Sequence, residues 1–274
     1  MPSIAVGDQR IAYELRGRGD PLLLVAGTGY PGATWSPELL APLAVSHTVI
    51  TFDHRGTGDS PASAARYSTR LFAADGLGLM DALDLPAAHV VGHSMGGRVA
   101  QWMALDRPDR IRTLILAATG PGQFRDDRPV TRGIPVHTAT ALIELGYEGY
   151  MRRHIADTFF TPEFVRSDPD RVEWLVQAFW QHRPALDDYL RHILARQEHQ
   201  TADRLNELTM PALVMIGDRD THLAGTGRHD EQSAFLMAHL PAAELRTVSG
   251  AAHGFFWQLP ERSTQILLDW TARH

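Results

Sequence analysis

Residues 92–96, Gly92-His93-Ser94-Met95-Gly96, spell G-x-S-x-G. That spacing suits a serine on a sharp turn, with neighbours small enough for the backbone to pass. A serine hydroxyl is a weak nucleophile until a base takes its proton. Imidazole is the usual base, and an acid must hold it in the right tautomer. On strand-to-helix serine turns the partners follow in the order serine, acid, histidine. The chain has 14 histidines, and His253, in "VSGAAHGFF", is the one placed for the base. "VMIGDRDTH" offers two acids, Asp218 and Asp220, and periodicity does not separate them. Such a set performs acyl transfer: attack on a carbonyl, formation of an acyl-enzyme, then its release by water.

These residues need elements that bring them together. "AHVVGH" (88–93) reads as a strand and "MGGRVAQWMALDRP" (95–108) as a helix, so Ser94 sits where one becomes the other. The acids follow the strand pattern "PALVMIG" (211–217), and His253 follows "AELRTVS" (243–249). Upstream, residues 3–6 and 10–15 read as a hairpin about "GDQ". "PLLLVA" (21–26), "HTVITFD" (47–53) and "IRTLILAAT" (111–119) read as strands, and 35–44 and 69–84 as helices. Ser36 is the expected N-cap of the first helix, with Pro37 in its first turn. Further helices are expected near 229–240 and 258–272. The alternation predicts an α/β fold: a mostly parallel central sheet with helices on both faces. Between 121 and 206 the rhythm changes to helical stretches rich in His, Trp, Phe and Tyr. The expected organisation is a core of 1–120 and 207–274 interrupted by a helical cap, 121–206.

Bulk properties fit that reading. The chain has 274 residues, 44% hydrophobic and 21% charged, enough to bury a sizeable core. Its net charge is −6, with no basic block, so nucleic acid is not an expected partner. There is no cysteine, which excludes a thiol nucleophile and thiolate metal sites. The start, "MPSIAVGDQR", shows neither a signal-peptide pattern nor a spanning helix. A soluble cytoplasmic protein with no membrane contact is therefore the expectation. The partner expected is a small-molecule substrate; oligomeric state stays open, a homodimer included. No H-E-x-x-H or comparable ligand spacing appears, so neither a metal nor another cofactor is expected.

The stretches "PLLLVAGTG", "TFDHRGTGDSP", "VVGHSMGG", "RPDRIRTLILAAT", "PALVMIGDRDTH" and "SGAAHGFF" resemble the capped branch of the α/β-hydrolase superfamily. The resemblance covers nearly the whole core and implies that superfamily's fold. It implies Asp220 as the acid, three residues after Gly217, with Asp218 the fallback. Asp53 to Gly58 matches the family's D-x-R-G-x-G turn, which is mainly structural. It also implies an oxyanion hole from the N–H groups of Thr28 and Met95. Ala26-Gly27 stands where the family usually has His-Gly, which leaves Gly29 as an alternative donor. Expected pocket residues are Tyr30, His93 and Phe255 by position, with Phe124, His137 and Trp180 from the cap. Tyr147, Phe159, Phe160 and Tyr189 are further cap candidates, and packing is the competing role for every cap aromatic.

"GHSMGG" and "DHRGTGDS" look most like small-molecule esterases and enol-lactonases. "PGATW" with Trp257 is similar to hydrolases that cut carbon–carbon bonds in ring-cleavage products, although those tend to carry asparagine at the place of His93. Cofactor-free peroxidases, transferases and ligand receptors share the fold. One motif admits another class. Gly27-Thr28-Gly29-Tyr30-Pro31-Gly32 is a G-x-G-x-x-G after a strand, and Asp53 lies about where a ribose-binding acid would be. A hairpin precedes that strand, however, and a dinucleotide site leaves Ser94 and His253 unexplained.

The two acids separate by substitution. In steady-state hydrolysis of an ester, Asp220→Asn is expected to cut kcat about 10⁴-fold. Asp218→Asn should leave it near wild type, and the reverse pattern reassigns the acid.

Overall fold

Apolar runs bounded by turn residues become the strands, and the helical patterns between them cover both faces. The structure, a computed structural model, describes residues 1–125, 133–221 and 227–274. Its strands are β1 (Ser3–Val6), β2 (Gln9–Arg16), β3 (Asp20–Val25), β4 (His47–Phe52), β5 (Ala88–His93), β6 (Ile111–Ala117), β7 (Ala212–Gly217) and β8 (Ala243–Val248). They form one sheet in the order β1-β2-β4-β3-β5-β6-β7-β8. The pairs β1–β2 and β2–β4 are antiparallel. The others are parallel. The C-terminal ends of β3, β5, β7 and β8 therefore open onto one edge of the sheet. The loops carrying Thr28, Ser94, Asp220 and His253 all leave from that edge.

Period-two alternation divides the core. Leu22 and Leu24 of β3 join one apolar cluster, with α1 (Pro37–Leu43) on that face. Leu23 and Val25 face the other, against α2 (Thr69–Ala82) and α3 (Met95–Asp106). Ser36 caps α1, its Oγ accepting from the Leu39 N–H at 3.3 Å. Between β6 and β7 the described residues carry no strand. They form α4 (Val136–His154), a π-turn (Ile155–Phe159), α5 (Pro162–Ser167), α6 (Pro169–Gln181) and α7 (Leu186–Gln197). Gly146, at φ 69°, breaks α4 into two pieces. Next come α8 (His229–His239), on the α3 face, and α9 (Phe255–Gln258) and α10 (Pro260–Thr271), on the α1 face. The terminal helix expected near 258–272 is α10, and the short α9 before it is an element the sequence pattern did not announce. Pro260 lacks an N–H and forces Leu259 out of the helical region, to φ −133° and ψ 65°.

The insertion is anchored to the core. Asp188 of α7 accepts from the Tyr67 hydroxyl at 3.0 Å. Arg191 lies 3.5 Å over the Tyr67 ring and donates to the carbonyls of Ser63 and Ala65. His192 stacks on Phe72 and its Nε2–H donates to the Arg55 carbonyl at 3.0 Å. No helix among the described residues is long and apolar enough to cross a membrane.

Buried imidazoles set an acid limit on this fold. Burial pushes His54 down to about 4 and His192 down to about 3. Below the unfolded value near 6.5, the unfolded chain takes up protons that the folded chain refuses, so stability falls as pH falls. Each such histidine costs about 1.4 kcal/mol per pH unit in that window. Urea unfolding at pH 7, 6 and 5 should show the midpoint dropping stepwise; a flat profile would contradict the assignment.

Candidate active site

Ser94 sits between β5 and α3 at φ 55° and ψ −117°, a backbone conformation that a residue with a Cβ adopts only under constraint. The constraint is steric. A Cβ on Gly92 would strike the Gly96 carbonyl, and a Cβ on Gly96 would strike the Val25 carbonyl at the end of β3. Gly97 meets Thr119 in the same way. The turn is also hydrogen-bonded from behind. The Ser94 N–H donates to the Ala117 carbonyl at 2.9 Å, and Thr119 Oγ1 donates to the Ser94 carbonyl at 2.6 Å.

Of the two candidate acids, Asp220 meets the histidine. Its Oδ2 lies 2.9 Å from His253 Nδ1, and the carboxylate is buried. A carboxylate only accepts, so Nδ1 carries the proton and Nε2 of the neutral ring keeps its lone pair. Asp218 is exposed and tied to its own loop, accepting from Ser249 Oγ at 2.8 Å and the Gly250 N–H at 2.7 Å. The Asp220 oxygen has a second imidazole on it: His229 Nδ1, at 3.0 Å. The His229 and His253 rings stack 4.6 Å apart at 16°. Burial alone would raise the Asp220 carboxyl, but His229 and then His253 outweigh it and hold it well below the ordinary range. Asp220, His229 and His253 also place candidate ligand atoms within 4.8 Å of one another, spacing that a metal ion could use and that no sequence motif announced. The same atoms lie together as an imidazole–carboxylate–imidazole group.

Ser94 and His253 line one chamber of about 20 Å³, roomy enough for about one water. Thr28 and Tyr30 line it from the loop after β3, and His154, Phe159 and Arg196 from the insertion. Among the described residues the N–H groups of Thr28 and Met95 take no acceptor, so both are available to an anion. Gly29, at φ 70°, presses against Tyr189 of α7, and a Cβ there would meet that ring. The loop that Ala26 opens is braced by side chains from elsewhere. His54 Nε2–H donates to the Ala26 carbonyl at 3.2 Å, and Asp53 Oδ1 accepts from the Gly32 N–H at 2.7 Å. Asp53 Oδ2 accepts from the Asp59 N–H at 2.9 Å, so this carboxylate is committed to backbone and not offered to a ribose.

Several expected pocket residues lie elsewhere. His93 is buried, and its Nε2–H donates to the His253 carbonyl at 3.0 Å. Phe255 is wholly buried beside Phe256, because its short helix turns it into the core. Phe124 packs on Phe235, away from the chamber. Trp180 is half-buried against Tyr147, with the guanidinium of Arg183 at 3.9 Å from its ring, and does not line the chamber. His137 lines a second, larger cavity of about 1550 Å³ between α4, the π-turn, α7 and the loop after β7. Trp257 donates through Nε1 to the Thr34 carbonyl at 2.6 Å and stacks on Trp35, so it acts as a core residue.

Sequence reasoning passed over His229, His154 and Arg196, and named Phe159 only as one of several cap candidates. For Arg196 a signal existed: it falls on the buried stripe of α7 with Tyr189 and Ile193, where a charge is out of pattern. Phe159 joins the insertion to the base. Its ring stacks on Tyr30 at 4.9 Å, and its carbonyl accepts from the Gly254 N–H at 2.9 Å.

Comparison with known proteins agrees with the fold. The family described as "alpha/beta hydrolase fold" matches residues 20–260. A protein of Azorhizobium caulinodans named "Putative carbamate hydrolase RutD" is 29% identical over 268 residues, 98% of this chain and 97% of its own. One of the same name from Caulobacter vibrioides is 31% identical over 266 residues, 93% of each chain. The solved enol-lactonase of Burkholderia xenovorans superposes with a TM-score of 0.84 at 22% identity, over 99% of this chain and 100% of its own.

The close passage at Gly96 gives a direct test. Gly96→Ala must move backbone, and is expected to lower unfolding stability by more than about 2 kcal/mol. Chemical denaturation measures it; an unchanged stability would mean that the first turn of α3 and the end of β3 have room between them.

Proposed function

Because the chain belongs to the alpha/beta hydrolase fold family, and is a hydrolase of that fold, we propose that it cleaves a small-molecule carboxylic ester or lactone through Ser94, His253 and Asp220. The observation that carries this reading is the pairing of His253 Nδ1 with Asp220 Oδ2 at 2.9 Å, with His253 and Ser94 on one chamber. Ser94 Oγ attacks the carbonyl while His253 Nε2 takes its proton. Asp220 fixes the ring's tautomer and stabilises the imidazolium. The oxyanion accepts from the N–H groups of Thr28 and Met95, with Gly29 as the alternative donor, beside the positive end of α3. Each such donor is worth about 2.7–4 kcal/mol of barrier. The imidazolium then protonates the departing alcohol. Water, deprotonated by His253, releases the acid and restores Ser94. These steps draw only on the chain's own side chains and N–H groups.

The insertion serves as a cap in this reading. Phe159 and Tyr30 keep bulk water from the acyl-enzyme, and His137 belongs to the approach. Carbamate hydrolysis is a second reading, favoured by the name borne by the two relatives at 29% and 31% identity. It uses the same attack and differs in the leaving group. The carbon–carbon reading rested on "PGATW" and Trp257, whose indole is spent on the Thr34 carbonyl.

A fluorophosphonate probe should label the wild-type chain and fail on Ser94→Ala. Short p-nitrophenyl esters should be turned over by the first and not the second. A folded wild type that neither labels nor turns over would point to a binding protein. Faster release from a carbamate than from its matched ester would favour the second reading.

A further inference from the structure

Arg196 carries a charge that no group among the described residues pairs. It lies on the core-facing side of α7, is only partly accessible, and its Nε is buried without a hydrogen-bond acceptor. Among the described residues no carboxylate or carbonyl is bonded to its guanidinium. Burial lowers its pKa, the sign of a cation that nothing negative compensates. A buried unpaired charge costs several kcal/mol, so a fold keeps one where a ligand supplies the counter-charge.

Its surroundings agree. Arg98, buried on α3 one turn after Ser94, also lacks an acid and donates through Nη1 to the Arg196 carbonyl at 2.6 Å. The neighbouring hydroxyls of Tyr150 and Tyr189 bond to each other at 3.4 Å. His154 is held neutral, pushed by burial down to about 3. Arg153, on the wall of the larger cavity, is matched by Asp157 at 3.4 Å. Of the other arginines on that wall, Arg228 is matched by Asp230 at 2.6 Å and Arg219 is exposed to solvent, so Arg196 is the partly buried cation left without a counter-charge among the described residues. It also stands at a junction, lining both the chamber that holds Ser94 and the cavity of about 1550 Å³ beyond it.

We propose that Arg196 anchors a carboxylate of the substrate, so that the ester or lactone cleaved at Ser94 carries a free acid group a few carbons from the scissile carbonyl. A planar guanidinium with two or more free N–H groups suits a carboxylate, which it takes in a forked pair of bonds. The product is then a dicarboxylate when the substrate is a half-ester. This inference rests on the hydrolase reading for its chemistry, but the anion site can be measured without turnover.

The test is a matched pair: the mono-p-nitrophenyl ester of glutaric acid and p-nitrophenyl pentanoate, equal in acyl length and differing in the terminal carboxylate. Wild type should prefer the glutarate in kcat/KM by at least about tenfold, and Arg196→Gln should lose about 100-fold on it, the range for a hydrogen-bonded charge pair. The loss on pentanoate should be at least about tenfold smaller than the loss on the glutarate, and Arg196→Lys should recover part of the glutarate rate. Equal loss on both esters, or no preference in wild type, overturns the proposal while leaving ester hydrolysis intact. Calorimetric titration with glutarate itself covers the case of no turnover. Binding by wild type that is lost in Arg196→Gln supports the anion site even if the hydrolase reading fails, and no binding by wild type overturns it.

Discussion

The structure depends on a contact with no side chain in it: the backbone of Gly96 against the Val25 carbonyl at the end of β3. That approach sets how close the first turn of α3 can come to the sheet. It is what keeps Ser94 at a positive φ, since relaxing the turn would mean lifting the helix off β3. It also fixes the neighbouring loop, because Val25 leads directly into Ala26, Gly27 and Thr28. The serine and the N–H groups across from it are thereby held by one steric event, before any side-chain chemistry is considered.

Around this contact, neutral imidazoles serve as struts. His54 pins the Ala26 carbonyl, His93 the His253 carbonyl, and His192 the Arg55 carbonyl. Each holds one of the loops on which the site or its support is built. A buried ring that donates one N–H and stays uncharged can do this without a counter-ion, where lysine or arginine would need one. Arg55 does carry a charge, and there the fold provides Asp75, bonded to it in a fork at 2.5 and 2.7 Å. The abundance of histidine is thus mainly architectural.

What could be read from the chain follows from how local each signal is. The strands and helices of the core were legible because period, turn residues and caps act within a few positions. The G-x-S-x-G turn was legible for the same reason, since its glycines answer to one turn and one strand end. Choosing Asp220 over Asp218 took a resemblance, because both follow Gly217 and only the fold decides which one turns inward. His229 was invisible: it opens α8 with no pattern linking it to Asp220. The aromatic residues misled in both directions. Trp180 and Phe124 looked like pocket walls but pack elsewhere, whereas Phe159, one of several candidates, reaches Tyr30 because a π-turn rotates it inward. Composition alone does not say which side of a helix meets a cavity.

The bond from the Gly254 N–H to the Phe159 carbonyl has a mechanical consequence. It spans the gap between the helical roof and the segment that carries the imidazole. The chamber beside Ser94 is too tight for anything much larger than water, so a guest must displace part of that roof. If Phe159 is the part that yields, the bond breaks and the histidine's own neighbour is released with it. Entry and proton transfer then share one latch, and the base regains its full alignment only when the roof has come back down over its guest.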